Sequence, residues 1–134
     1  MTLLQGKLVF HIEEAKDLPN TDWIEWTGSD MTDPFVVGKI GKIELFRTKH
    51  IDNTCNPVWN EKFCVSVSEK AEFIKIKIQD DELLAPPEEV GTLKIPCDKI
   101  VKGEEIKGWF DLDFHGRLRG KIKILIEYYP EDTK

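Results

Sequence analysis

The amino-acid sequence predicts an all-β protein, an eight-stranded antiparallel sandwich, on three observations. Apolar and polar residues alternate in segment after segment, turn-forming residues separate those segments at short intervals, and no long 3.6-residue periodicity competes. The first strand is read from Leu8, Phe10 and Ile12, which alternate with Lys7, Val9, His11 and Glu13 ahead of the turn-prone Asp17-Leu18-Pro19-Asn20. Asp33-Pro34 opens a β-rich run from Phe35 to Ile40, proline being suited to a strand start. After Gly41, Ile43 to His50 continues the pattern. Phe63, Val65 and Val67 then face one way, with Lys62, Cys64 and Ser66 on the other side. Ile74, Ile76 and Ile78 between Lys75, Lys77 and Gln79 give the cleanest period of two in the chain. Val90 to Ile95, Gly108 to Leu112 and Lys121 to Tyr128 complete the set, the last with Ile122, Ile124 and Ile126 on one face. Cys97 to Lys102 and Ser68 to Ala71 are the only stretches suited to a short helical turn.

A length of 134 residues fits one domain, with a core from about residue 6 to 129 and Pro130 to Lys134 as a frayed end or cut site. Hydrophobic residues at 40% and charged ones at 33% describe a soluble globular chain, and no uncharged run reaches the ~20 residues of a membrane helix. Met1 to Gln5 is too short for a signal peptide before Lys7. The net charge of −6 argues against nucleic acid as a partner. Cys55, Cys64 and Cys97 are odd in number and lack metal-site spacing, which suits a reducing compartment and a cytoplasmic address.

Enzyme signatures are absent. His11, His50 and His115 lie on different elements without zinc spacing, and there is no Gly-x-Ser-x-Gly elbow. Gly116-Arg117-Leu118-Arg119-Gly120-Lys121 superficially resembles a phosphate loop, but it is one residue short and a strand follows it, so it reads as a glycine-flanked hairpin turn. The chain is not expected to be an enzyme.

Four stretches carry a family resemblance. Glu14-Ala15-Lys16-Asp17-Leu18-Pro19 is followed by Asp22 and then Asp33-Pro34-Phe35-Val36. Arg47-Thr48-Lys49 is followed by Asn56-Pro57-Val58-Trp59-Asn60-Glu61 and Phe63. Ile78-Gln79-Asp80-Asp81-Glu82 precedes Gly91, and Gly108-Trp109-Phe110-Asp111-Leu112 comes near the end. In this order they resemble a C2 domain, the calcium-dependent lipid-binding module of protein kinase C, synaptotagmin and plant phospholipase D. The resemblance implies a Greek-key sandwich with calcium-binding loops at one end. One strand before the Asp22 loop and a full strand after Leu112 imply the permuted, type II topology. It also implies that Trp59 and Trp109 are framework residues of the core.

Asp80, Glu82 and Glu88 stand eleven, nine and three residues before Gly91, matching the family's acidic third-loop positions. With Asp22 and Asp33 they make five carboxylates on one rim, and the resemblance adds the backbone carbonyls of Thr21 and Asp81. Calcium needs about 6–8 oxygens, so such convergence is what a site for one to three ions requires. Asp30 is an alternative ligand, because the first loop is longer than the family's usual one. Glutamates at 82 and 88, where the family usually has aspartate, displace each carboxylate by about 1.5 Å.

Trp23, Ile24 and Trp26 in the first loop, with Leu83 and Leu84 in the third, form a candidate membrane-contact surface. The alternative is that the tryptophans fold back as a local cap. Lys75 and Lys77, with Lys121 and Lys123, are a second candidate surface, for anionic lipid, among further basic residues Lys39, Lys42, Arg47 and Lys49. The expected function is calcium-dependent binding to phospholipid membranes by a monomer reversibly peripheral to them. The alternative is a calcium-independent protein-docking domain, as the N-terminal targeting part of a larger kinase or phospholipase.

Overall fold

The computed structural model describes residues 1–20, 32–81 and 86–131. Its strands are β1 (Thr2–Lys16), β2 (Pro34–Ile40), β3 (Ile43–Arg47), β4 (Val58–Ala71), β5 (Phe73–Asp80), β6 (Glu88–Pro96), β7 (Ile106–Phe114) and β8 (Arg117–Pro130). One 3₁₀ turn, Cys97–Lys99, follows β6, whereas Ser68 to Ala71 continues β4 as strand because Thr2 to Gln5 of β1 pairs with it. No helix among the described residues is long and apolar enough to cross a membrane.

Neighbouring strands pair antiparallel in the order β3-β2-β5-β6-β7-β8-β1-β4. Between β6 and β7 the pairing is reduced to Thr92 opposite Asp113, and there the sheet turns over into two layers. Side-chain alternation decides what lies between them. Ile74, Ile76 and Ile78 from β5 meet Ile122, Ile124 and Ile126 from β8, with Leu8, Phe10 and Ile12 from β1, all essentially without solvent exposure. The two edges meet through aromatic rings. Phe46 of β3 lies 4.8 Å from Phe10 and 4.9 Å from Phe63 of β4, centroid to centroid. Gly38 makes room for that ring, since a Cβ there would sit 2.1 Å from it.

The register fixes which loops share an end. Pro34 pairs with Asp80 and Asp80 with Glu88, while Glu14 pairs with Val58 and Lys16 with Lys121. The links β1–β2, β3–β4, β5–β6 and β7–β8 therefore all leave from one end of the sandwich. The last is the tightest, with Phe114 opposite Arg117 and only His115-Gly116 between them. Both turn residues have positive φ, 51° and 85°, the geometry of a two-residue turn that suits strand twist. The strand thus begins at Arg117, and of the glycine-flanked segment only Gly116 belongs to the turn, the rest being strand.

Candidate functional site

Strand ends bring two of the expected carboxylates together. Asp33 precedes β2, Asp80 closes β5, and the Asp33 N–H donates to Asp80 Oδ1 at 2.9 Å. Asp80 is fully buried, and a buried carboxylate is tolerable only where donors replace its lost water. Asp33 in turn accepts the Asn53 N–H at Oδ1, and its carbonyl accepts the Asp81 N–H at 3.0 Å. Glu88 is exposed and directly opposite Asp80. The Asp81 carboxylate is turned away, 2.9 Å from His50 Nδ1, and the far ring nitrogen lies 2.9 Å from Asp52. His50 and Asn53, contributed by the β3–β4 link, are participants the sequence reading missed; positive φ at Asn53, a residue type that tolerates it, is the local signal.

Asp22, Glu82, Thr21 and Asp30 lie outside the described residues, as do Trp23, Ile24, Trp26, Leu83 and Leu84. Among the described residues no three His, Cys, Asp or Glu side chains come together closely enough to hold a metal ion.

The stems of the first loop are closely held. Thr32 donates from Oγ1 to the Pro19 carbonyl at 3.2 Å, and its own carbonyl accepts the Thr54 N–H at 2.8 Å. Leu18 N–H bonds the Cys55 carbonyl, and Asp17 N–H bonds Asn56 Oδ1. Trp59 donates from its indole to the Pro34 carbonyl at 3.2 Å. The Asn-Pro-x-Trp stretch therefore buttresses both ends of the loop.

The four candidate lipid-binding lysines do not form one patch. Lys75 and Lys77 lie on β5, whereas Lys121 and Lys123 lie on β8, with β6 and β7 between. Lys121 faces Asp111 at 3.8 Å and Lys123 faces Glu13 at 3.9 Å. By contrast, Lys39, Lys75 and Lys94 stand in register across β2, β5 and β6, with Lys77 two residues further on. Like charges directly opposite one another are unfavourable, and an anion would relieve that cost. Nearer the acidic corner is a groove of about 410 Å³, lined by Phe35, Arg47, Thr48, Lys49, His50 and Asp81. Arg47 is bonded to Glu44 at 2.8 Å, which raises its already high pKa.

Trp109 corrects an expectation. It is 39% exposed, and Lys16 Nζ sits 4.3 Å from its ring centroid. Phe110 and Leu112 share one parity and face inward, with Leu112 buried, which puts Trp109 on the outer face. Trp59 is buried as expected.

A Greek-key sandwich with acid-bearing links gathered at one end defines a class of module. The chain belongs to the C2 domain family, whose model matches residues 6–112. A C2 domain is itself non-catalytic, also where it is part of an enzyme. Over 79 residues, 59% of the chain, it is 34% identical to phospholipase D delta of Arabidopsis thaliana, of which it covers 9%. Synaptotagmin-4 of the same plant is 28% identical over 134 aligned positions, covering 93% of this chain and 23% of that one. The chain thus spans a small part of the length of these relatives. A C2 domain of plant extended synaptotagmin 1 superposes with a TM-score of 0.77 at 24% identity, covering 97% of this chain and 98% of the other, and so shares the fold.

Proposed function

We propose that this domain is a calcium-regulated module that docks reversibly on phospholipid membranes. The observation that carries the reading is the Asp33–Asp80 junction, which ties the stems of the first and third loops into one acidic corner. The donor chemistry suits the ion: carboxylates of Asp33, Asp80 and Glu88, with Asp22 and Glu82, and main-chain oxygens of Thr21 and Asp81 would offer only oxygen ligands, which calcium prefers. Asp81 suits a main-chain role because its carboxylate is engaged by His50. Asp30 is a further ligand candidate from the first loop. Calcium would supply positive charge where carboxylates otherwise repel one another, and would turn a repulsive rim into an attractive one for anionic headgroups.

Two further contacts complete the reading. Trp23, Ile24, Trp26, Leu83 and Leu84 enter the interface as apolar tips, and the Lys39-Lys75-Lys94 row with Lys77 attracts anionic lipid at the flank. Lys121 and Lys123, held by carboxylates, have a lesser part.

The test is calorimetric titration with calcium, followed by sedimentation with phosphatidylserine–phosphatidylcholine vesicles with and without calcium. Heat of binding and calcium-dependent sedimentation are expected. No heat and no sedimentation would reject the reading in favour of calcium-independent protein docking.

A further inference from the structure

The Gly116–Lys121 segment has no part in the acidic corner, yet the fold carries it to the same end of the molecule. Phe114 pairs with Arg117 and Asp113 with Leu118, so the tip of the β7–β8 hairpin projects past Lys16, the last residue of β1, which pairs with Lys121. Thr92 opposite Asp113 sets the tip beside the start of β6, where Glu88 stands. A bulge follows, since Asp111 already faces Lys121. Gly120 there has φ 76°, and a Cβ would lie 2.9 Å from the Asp17 carbonyl oxygen. Only glycine lets the hairpin lie so close to the stem of the first loop.

The chemistry of the tip is unlike the rest of the surface. Leu118 is 70% exposed, and Arg117 and Arg119 are exposed on either side of it. Neither arginine forms an ion pair among the described residues. The hairpin's own carboxylates are engaged elsewhere: Asp113 Oδ2 accepts the Gly116 N–H at 3.4 Å, and Asp111 faces Lys121. A single exposed leucine needs no explanation. An exposed leucine on one face of the strand just past the two-residue turn, with two uncompensated arginines on the other face, at the end of the sandwich that carries the acidic corner, is a different matter.

We propose that the β7–β8 hairpin is a further membrane contact, in which Arg117 and Arg119 bind the phosphates of anionic phospholipid while Leu118 enters the interface. This rests on the membrane-docking reading above. Guanidinium groups pair with phosphate through two parallel hydrogen bonds, and a hairpin tip that meets the bilayer end-on presents its arginine face to the headgroups and the apolar Leu118 on its other face to the boundary with the acyl chains. A protein partner or free phosphate would have less use for that sequence of charge, apolar group and charge. The turn is already closed by the Asp113–Gly116 bond, so little ordering is required when it docks.

The experiment measures sedimentation with phosphatidylserine–phosphatidylcholine vesicles at low and raised salt, with calcium or with chelator. It compares the unmodified protein, Arg117→Gln with Arg119→Gln, the same pair with Leu118→Ser, and a charge-matched control, Lys70→Gln with Lys102→Gln, at the other end of the sandwich. Near an anionic surface each arginine contributes about fivefold in affinity, so the pair should weaken binding roughly 25-fold at low salt, less at raised salt. Leu118→Ser should weaken it several-fold more at both, and the control should stay within about twofold. Calorimetric calcium affinity and melting temperature should be unchanged in the hairpin variants. Normal vesicle binding by the hairpin variants, or equal loss in the control, overturns the hairpin proposal and leaves calcium-dependent docking standing. Calcium-independent sedimentation that the hairpin variants abolish rejects the calcium reading and keeps the hairpin. No sedimentation of the unmodified protein overturns both.

Discussion

The main-chain N–H of Asp33 donates to the carboxylate of Asp80 at 2.9 Å, so the residue just ahead of β2 is held by the one that closes β5. Asp80→Asn keeps an acceptor oxygen in place, whereas Asp80→Ala leaves the Asp33 N–H without it. Urea denaturation without calcium should show Asp80→Ala less stable by about 1–3 kcal/mol, and Asp80→Asn less affected. Calcium at a hundredfold excess over Kd should stabilise the unmodified protein by ~2.7 kcal/mol, and Asp33→Asn with Asp80→Asn should abolish that gain.

The proposed membrane contact of Trp23 and Leu84 makes a second expectation. Trp23→Ala with Leu84→Ala should weaken calcium-dependent vesicle binding while leaving calcium affinity in solution nearly unchanged. Apolar burial is not screened by salt, so binding of the unmodified protein should survive moderate salt. Release by salt alone would shift the lipid contact to the Lys39-Lys75-Lys94 row.

Two tryptophans should differ sharply in their contribution to stability. Trp59 is buried and bonded to the Pro34 carbonyl, so Trp59→Ala should cost about 3–5 kcal/mol. Trp109 lies on the surface under Lys16, where a cation–π contact contributes about 0.5–1 kcal/mol, so Trp109→Ala should cost about 1 kcal/mol. Chemical denaturation of both variants checks the ranking.

The thiols separate in the same way. Cys97 is buried, and burial pushes its thiol above the ordinary 9.0. Cys64 is exposed. A thiol reagent should modify Cys64 at once and Cys97 only after unfolding. Because the native state holds the Cys97 proton more tightly than the unfolded chain does, its contribution to stability is complete below about pH 9 and is lost as pH rises through the native pKa. Melting temperatures measured across that alkaline range, with Cys97→Ala for comparison, test the sign.

Much of this fold could be read from alternation alone. Ile74, Ile76 and Ile78 are spaced by two and are all fully buried, because a strand covered on one face can satisfy that pattern in only one register. The same rule assigns Trp109 correctly once Leu112 is known to be inside; the family motif pointed the other way. Strand ends were harder to see. Ser68 to Ala71 is strand because β1 offers a partner, and Arg117 is strand because Phe114 does, which are facts of pairing instead of composition. At the site, the family resemblance named Asp33 and Asp80, which the structure joins by one hydrogen bond, but the parts of His50, Thr32 and Asn53 depend on how the β3–β4 link folds across the rim. The separation of Lys75 and Lys77 from Lys121 and Lys123 follows from strand order, which sequence spacing does not contain.

The bond from Thr32 to the Pro19 carbonyl closes the first loop at its base. Leu18 and Thr32 are each tied again to the β3–β4 link, so the two stems stay together whatever joins them. The sandwich therefore offers a closed socket between Pro19 and Thr32. For a segment so anchored, doubling its length costs only about 0.6 kcal/mol in closure entropy. This position can accept foreign peptides or rewritten binding loops as interchangeable cassettes, with the sandwich serving as an unchanging frame.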